Sequence, residues 1–90
     1  MAKKPQDSRI SVDGYTRPTE LDDTISLNVA SLFASELGKE VLTYLRSITI
    51  EAVHGSAVTD EALRHVEGQR YIVGIIQSRI QHAQKVKENG

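Results

Sequence analysis

The strongest constraint on the fold is a helical periodicity in the last third of the chain. Between residues 62 and 83, residues of one face recur at alternating steps of four and three, which is the spacing of an α-helix. That face consists of Ala62, Val66, Gln69, Val73, Ile76, Ile80 and Ala83. A helix this long in a chain of 90 residues is expected to pack against other elements along its length.

Two shorter helices are predicted ahead of this long one. The first is expected to begin at a cap formed by Asp23 or Thr24 and to end at Gly38, because glycine is favoured where a helix terminates. The second is expected to run from about Lys39 to Val53. The apolar residues are Ile25, Val29, Leu32, Phe33 and Leu37 in the first helix, and Val41, Leu42, Tyr44, Leu45, Ile48 and Ala52 in the second.

The third helix follows a break at residues 54–56, which read His-Gly-Ser. Thr59 provides a hydroxyl cap, and two acidic residues follow it where the helix dipole favours negative charge. The helix is expected to reach about Lys87. Gly74 lies in the densest apolar run and is the predicted point of close approach by another backbone, whereas Gly68 could kink the helix.

The first 23 residues carry a different pattern. Pro5, Gly14 and Pro18 punctuate them, and residues 9–15 alternate like a short strand that ends in a turn. This arm is expected either to be disordered or to become ordered across a neighbouring subunit. We therefore predict an all-α protein, with an extended N-terminal arm at 1–23 and a helical domain at 24–88 that contains two short helices and one long C-terminal helix.

The chain offers little for catalysis or for metal binding. It has no cysteine, which removes disulfides, thiol catalysis and cysteine-bearing zinc sites. His65 and Glu61 are one helical turn apart but are too few to hold a metal, and His82 lies about 25 Å from His65 along the helix axis. No run approaches the ~20 apolar residues of a membrane span. A soluble, non-enzymatic protein without cofactor or metal is expected.

The charge is uneven although the net value is only −1. Residues 64–90 hold five basic and two acidic residues, so this half is positive. The basic side chains that could contact DNA phosphates are Arg64, Arg70, Arg79, Lys85 and Lys87. A solvated helix face has a similar charge density, so nucleic-acid contact is the less favoured alternative.

The sequence offers two candidate partners for Glu67. Glu67 lies one turn from Arg70, which predicts an exposed pair worth a few tenths of a kcal/mol. Arg46 on the second helix is the other candidate partner of Glu67, and that pair would join helices two and three.

The apolar face of the third helix is wider than two short helices need to cover. Burial in a three-helix core is the ordinary explanation, and a docking or self-association surface is the alternative. The candidate partner-contact residues are Ile10, Val12 and Tyr15 in the arm and Val73, Ile76 and Ile80 on the third helix.

Two short sequence motifs are similar to those of a known family. The first runs from Phe33 to Arg46, with a glycine before a Val-Leu-x-x-Leu-Arg helix, and the second is Glu67-Gly-Gln-Arg70 at the head of a hydrophobic helix. Over residues 30–80 the chain resembles a family of small tailed-bacteriophage proteins encoded among portal and capsid genes.

The resemblance implies a structural virion or assembly protein, made in the host bacterial cytoplasm and carried in the virion. Its expected partners are portal, head–tail adaptor or capsid subunits, bound in multiple copies, and a homo-oligomer is also compatible. The alternative is a DNA-contacting packaging or regulatory protein. The family transfers no catalytic residue.

Overall fold

The computed structural model describes residues 7–55 and 58–89. Its elements, in chain order, are strands β1 (Ser8–Ile10) and β2 (Thr16–Pro18) and helices α1 (Thr19–Ala34), α2 (Glu36–Ser47) and α3 (Asp60–Asn89). The chain is mostly helical with a long last helix, as predicted, and a small two-stranded sheet is added at its N-terminal side. Residues 1–6 of the predicted arm and Ser56 of the predicted break lie outside the described residues.

The segment predicted as an extended arm contains a β-hairpin. β1 and β2 pair antiparallel, with Arg9 opposite Arg17. Gly14 has a φ of 87°, a conformation that favours glycine, and it allows the chain to reverse. The amide of Thr19 donates to the carbonyl of Asp7 at 2.8 Å, so the sheet leads directly into α1. α1 therefore begins at Thr19 and has no side-chain cap, rather than beginning at Asp23 or Thr24.

The corner between α1 and α2 depends on Gly38. The prediction that Gly38 ends the first helix was wrong, because α1 ends at Ala34 and Gly38 lies in the first turn of α2. The Oγ of Ser35 accepts a hydrogen bond from the Gly38 amide at 2.9 Å and caps α2. A Cβ on Gly38 would overlap the carbonyl oxygen of Leu32. The two helices can turn this tightly only because no side chain is present there.

α2 ends earlier than the sequence predicts. It stops at Ser47 instead of Val53, and a turn follows it. The hydroxyl of buried Thr49 donates to the carbonyl of Leu45 at 2.6 Å. Arg70 of α3 donates to the carbonyls of Thr49 and Ala52, both at 2.9 Å. The carbonyls after α2 are thus satisfied by a side chain from another helix, which no local pattern could reveal.

α3 is continuous from Asp60 to Asn89. The Oγ1 of Thr59 accepts from the Ala62 amide at 3.1 Å, which is the predicted cap. The helix continues through Gly68, and among the described residues no backbone approaches Gly74, since a Cβ at either position would meet nothing within 4 Å. The predicted close approach at Gly74 is therefore not made within the described part of this chain. Among the described residues, no helix has both the length and the apolar content that crossing a membrane requires.

The helices form a thin body with extents of 62 × 31 × 15 Å. α1 and α3 run in the same direction, since Asp22 contacts Arg79 and Ser26 contacts His82. Within the described part of the chain, Val73 and Ala83 are the only buried hydrophobic residues. The buried polar residues outnumber them and are Ser11, Asp22, Ser26, Thr49 and Arg79. The interior is centred on polar groups, and most large apolar side chains remain in contact with solvent.

Candidate interaction site

The centre of the molecule is an ion pair between α1 and α3. Nη1 of Arg79 donates to Oδ1 of Asp22 at 2.7 Å, and both side chains are almost completely buried. The same nitrogen lies 3.0 Å from Oγ of Ser26 and 3.1 Å from the carbonyl of Asp22. Arg79 is 2% exposed and fixes α1 against α3 through directional hydrogen bonds.

The hairpin is attached to this ion pair by its own polar side chains. The Ser11 hydroxyl donates to Oδ1 of Asp22 at 2.5 Å, and Nε of Arg9 donates to Oδ2 of Asp22 at 2.8 Å. At the tip of the hairpin the Tyr71 hydroxyl donates to the carbonyl of Asp13 at 3.0 Å. The hairpin is therefore held against both α1 and α3 by hydrogen bonds.

Arg9 also joins two further residues. It donates to a carboxylate oxygen of Asp23, and its Nη2 lies 2.9 Å from Nε2 of His82. Because a guanidinium can only donate, this ring nitrogen accepts, and Nδ1 of His82 donates to Oγ of Ser26 at 2.6 Å. We call the connected residues the buried ion-pair cluster. It comprises Arg9, Ser11, Asp13, Asp22, Asp23, Ser26, Arg79 and His82.

Three members of the cluster are of metal-ligand type. One ligand atom from each of Asp22, Asp23 and His82 lies within 4.8 Å of the others, a grouping that the sequence did not suggest. The guanidinium of Arg9 contacts all three side chains, and together with the guanidinium of Arg79 it offsets the charges of the two carboxylates. Within the described residues, every buried side-chain polar atom has a hydrogen-bond partner. The arrangement is that of a structural ion-pair network.

The network changes the pKa of its carboxyl groups. Burial raises the pKa of Asp22, but the hydrogen bonds from Ser11, Arg79 and Arg9 outweigh this effect and hold it well below its usual range. The hydrogen bond from Arg17 lowers the pKa of Asp13 to about 2. Both carboxyl groups are therefore charged in the folded chain at neutral pH.

The structure changes the prediction for DNA contact. Arg79 is buried against Asp22, so its selection as a phosphate-contacting residue was wrong. Arg70 is engaged with Thr49, Ala52 and Glu67. The other three candidates, Arg64, Lys85 and Lys87, lie on exposed positions along α3.

The structure also decides which ion pair forms at the predicted inter-helix position. Nη1 of Arg70 lies 2.9 Å from Oε1 of Glu67, which is the exposed pair one turn apart. Arg46 does not reach Glu67 and pairs with Glu51 at 3.0 Å. Arg70 nevertheless joins the two helices, because it donates to the carbonyls after α2 rather than to an acidic side chain.

The candidate contact residues on α3 are largely used inside the chain. Val73 is buried, and Ile76 and Ile80 are half-buried. The expectation that these three residues form a free surface is therefore not met by their positions in the fold. Arg79, predicted as a candidate phosphate contact, is buried on the same helix.

The candidate contact residues in the hairpin are all exposed. Ile10 is 75% exposed and Tyr15 is 69% exposed, and Val12 is less so. Along residues 9–12, Arg9 and Ser11 point into the cluster, while Ile10 and Val12 point outward. The usual arrangement for a strand on a core is the opposite, with apolar side chains inside. We call Ile10, Val12 and Tyr15 the hairpin patch.

A second exposed apolar surface lies on α2 and was not anticipated. Leu37, Val41, Tyr44 and Ile48 recur at steps of four, three and four, and are 48–76% exposed. We call them the α2 stripe. The sequence predicts Leu37 in the first helix and the other three among the apolar residues of the second. The neighbouring Leu42 and Leu45 are half-buried, so only part of the apolar face of α2 is covered.

Comparison with known proteins identifies a phage family. Residues 29–87 match the model of the family described as Bbp19-like phage protein. The matched region includes the end of α1 from Val29, all of α2 and α3 up to Lys87, and it excludes the hairpin. The chain matches no curated protein and no solved structure.

Proposed function

The chain belongs to the Bbp19-like phage protein family, and from this premise we propose that it is a non-enzymatic structural or assembly protein of the virion. In this proposal it is made in the cytoplasm of the bacterial host and docks in multiple copies on portal, head–tail adaptor or capsid subunits. The docking surface is the hairpin patch, and the three helices form the support that holds the hairpin in place.

The observation that carries the proposal is the orientation of the hairpin. Its polar residues Arg9 and Ser11 are bound inside the chain, whereas Ile10 and Tyr15 are left in solvent. A two-stranded hairpin has little stability of its own. Here the ion-pair cluster provides the attachment, so the apolar side remains available to a partner.

The size of the domain supports the same conclusion. Only two hydrophobic residues of the described chain are buried, and fourteen large hydrophobic residues are exposed. A chain of 90 residues buries a modest share of its surface, and a larger partner can shield the remainder. Subunits of symmetric shells and rings meet this condition, because each copy covers surface of its neighbours.

Quantitative mass spectrometry of purified phage particles tests the proposal. We expect the chain at a fixed copy number per particle, and an Ile10→Asp variant to be missing from particles while remaining folded in the cell. Leu63→Asp is the matched control, since Leu63 is also exposed but lies on the first turns of α3. Absence of the wild-type chain from particles, or equal incorporation of both variants, would refute docking through the hairpin.

The DNA-contacting alternative has less support than the sequence suggested. With Arg79 buried and Arg70 engaged, three exposed basic residues remain of the five candidates. A titration with duplex DNA separates the two functions. Binding that weakens steeply as salt rises would favour the alternative, because phosphate contacts release counterions. We expect no such binding.

A further inference from the structure

The α2 stripe has the geometry of a helix-pairing seam. Its four residues lie within a strip about 60° wide that runs about 16 Å along the helix. Polar side chains border the strip on one side, from Glu36, Glu40, Thr43 and Ser47. On the other side Leu42 and Leu45 pack within the chain. Apolar residues at alternating steps of four and three are the pattern by which two helices interlock.

The stripe is complementary to itself in one orientation. When a second α2 is laid antiparallel about a two-fold axis between residues 42 and 43, Leu37 falls opposite Ile48 of the second copy and Val41 opposite its Tyr44. A two-fold interface requires this relation, because each contact occurs twice with the roles exchanged. The smallest side chain of the stripe then faces the largest, which allows the helices to approach evenly along the seam.

The ends of α2 favour the same orientation. Parallel helices would bring the first turns of the two copies together, and with them Glu36 of each copy. Antiparallel helices keep these two acidic residues apart. The antiparallel arrangement also sets the positive end of each helix dipole beside the negative end of the other.

We propose that the occupant of the α2 stripe is a second copy of this chain, which forms an antiparallel two-fold dimer through Leu37, Val41, Tyr44 and Ile48. The hairpin patch is a separate surface, so formation of the dimer does not depend on docking to other virion proteins. Each dimer carries two hairpin patches.

The first test is the mass of the purified chain over a concentration series, measured by light scattering coupled to size exclusion. We expect the wild type to reach the mass of a dimer and Val41→Glu to remain a monomer, with self-association weakened at least tenfold. Ile10→Asp is the matched control, since it also charges an exposed apolar residue, and it should still dimerise. Circular dichroism of each variant establishes that it is folded. A wild type that stays monomeric throughout would overturn the proposal.

The second test uses the absence of cysteine from the chain to read the orientation. Leu37→Cys and Ile48→Cys are prepared as separate proteins and oxidised alone and as a mixture. The antiparallel dimer predicts disulfide-linked dimers only in the mixture, because each position faces the other one. Cross-linking of each variant alone would indicate parallel helices, and no cross-linking in any sample would indicate that the stripe binds a different protein. Both results would overturn the proposal.

Discussion

Two regions of the molecule use opposite kinds of side chain. One is the junction where the hairpin, α1 and α3 meet, and the other is the outer side of α2. At the junction, charged and hydroxyl groups are buried and connected, with Arg79 and Asp22 at the centre. On α2, four large apolar side chains are exposed in one stripe. The junction is therefore stabilised by directional polar contacts within the chain, while the hydrophobic surface of α2 is left for contact with another molecule.

This difference bears on how a thin domain can hold a defined shape. A body 15 Å thick has little room for a hydrophobic interior. Buried ion pairs add little net stability compared with well-packed apolar residues, but they are strongly destabilising to break and their geometry is specific. The ion-pair cluster sets the position of the hairpin on the helices, and the apolar side chains that a larger domain would bury remain at the surface.

The largest expected effect comes from removing the acid at the centre of the junction. Asp22→Ala should lower the free energy of unfolding by about 3–5 kcal/mol, because it leaves the buried Arg79 guanidinium without its carboxylate. Urea unfolding followed by circular dichroism measures the change. Asp23→Ala is the matched control, since Asp23 is partly exposed, and its loss should be much smaller. Equal losses would contradict a central role for Asp22.

Lowering the pH should reduce the free energy of unfolding through the same junction, by less than Asp22→Ala does. The pKa of Asp22 and that of Asp13 are lower in the folded chain than the value of about 3.9 expected when unfolded, so the folded state binds fewer protons. Their contribution is complete above the unfolded value and is lost as pH falls through the folded value, which for Asp13 is about 2. Urea unfolding at a series of pH values should therefore show falling stability below about pH 4.

Asp13→Asn provides the comparison for this experiment. Its stability should depend less steeply on pH in the same interval, since the carboxyl bound by Arg17 is absent. A wild type and a variant with the same pH dependence would exclude Asp13 from the acid response.

The corner between α1 and α2 gives the next prediction. Gly38→Ala should destabilise the chain by about 1–3 kcal/mol, because the added methyl group would overlap the carbonyl of Leu32. Gly74→Ala should instead stabilise it by about 1 kcal/mol, since alanine is the better helix former and nothing lies near that position. Thermal unfolding of both variants measures the two changes, and a Gly38→Ala variant as stable as the wild type would contradict the close contact at this corner.

The smallest effect on folding is expected at the α2 stripe. Tyr44→Ser removes an exposed apolar side chain, so the stability of the dilute monomer should change by no more than about 0.5 kcal/mol. A loss of several times this value would mean that the stripe supports the fold itself, and the contrast with the junction would then disappear. Denaturant unfolding at low protein concentration measures it.

The sequence was sufficient for the elements that local chemistry determines. The long helix, its Thr59 cap and the phage family could all be predicted, because periodicity, capping and motif spacing are readable within a short window. The ends of α1 and α2, near residues 34 and 47, could not be predicted. Gly38 is required by a backbone contact with Leu32, and the carbonyls beyond α2 are satisfied by Arg70 from 21 and 18 residues away.

The interior could not be predicted for a related reason. Arg79 lies on a helix face with apolar neighbours, and its partner Asp22 is 57 residues away in the chain. A search for solvated charges assigns such a residue to the surface. The alternation of Arg9 and Ser11 with Ile10 and Val12 was visible in the sequence, but which side faces inward depends on the acids that α1 places beside it.

The hairpin patch and the α2 stripe should be open to solvent in the isolated chain and covered in the assembly. Hydroxyl-radical footprinting read by mass spectrometry tests this directly, by comparing the dilute chain with the chain in purified particles. We expect Tyr15 and Tyr44 to react readily in the dilute chain and to be strongly protected in particles. Equal reactivity in both samples, or protection already in the dilute monomer, would contradict the account.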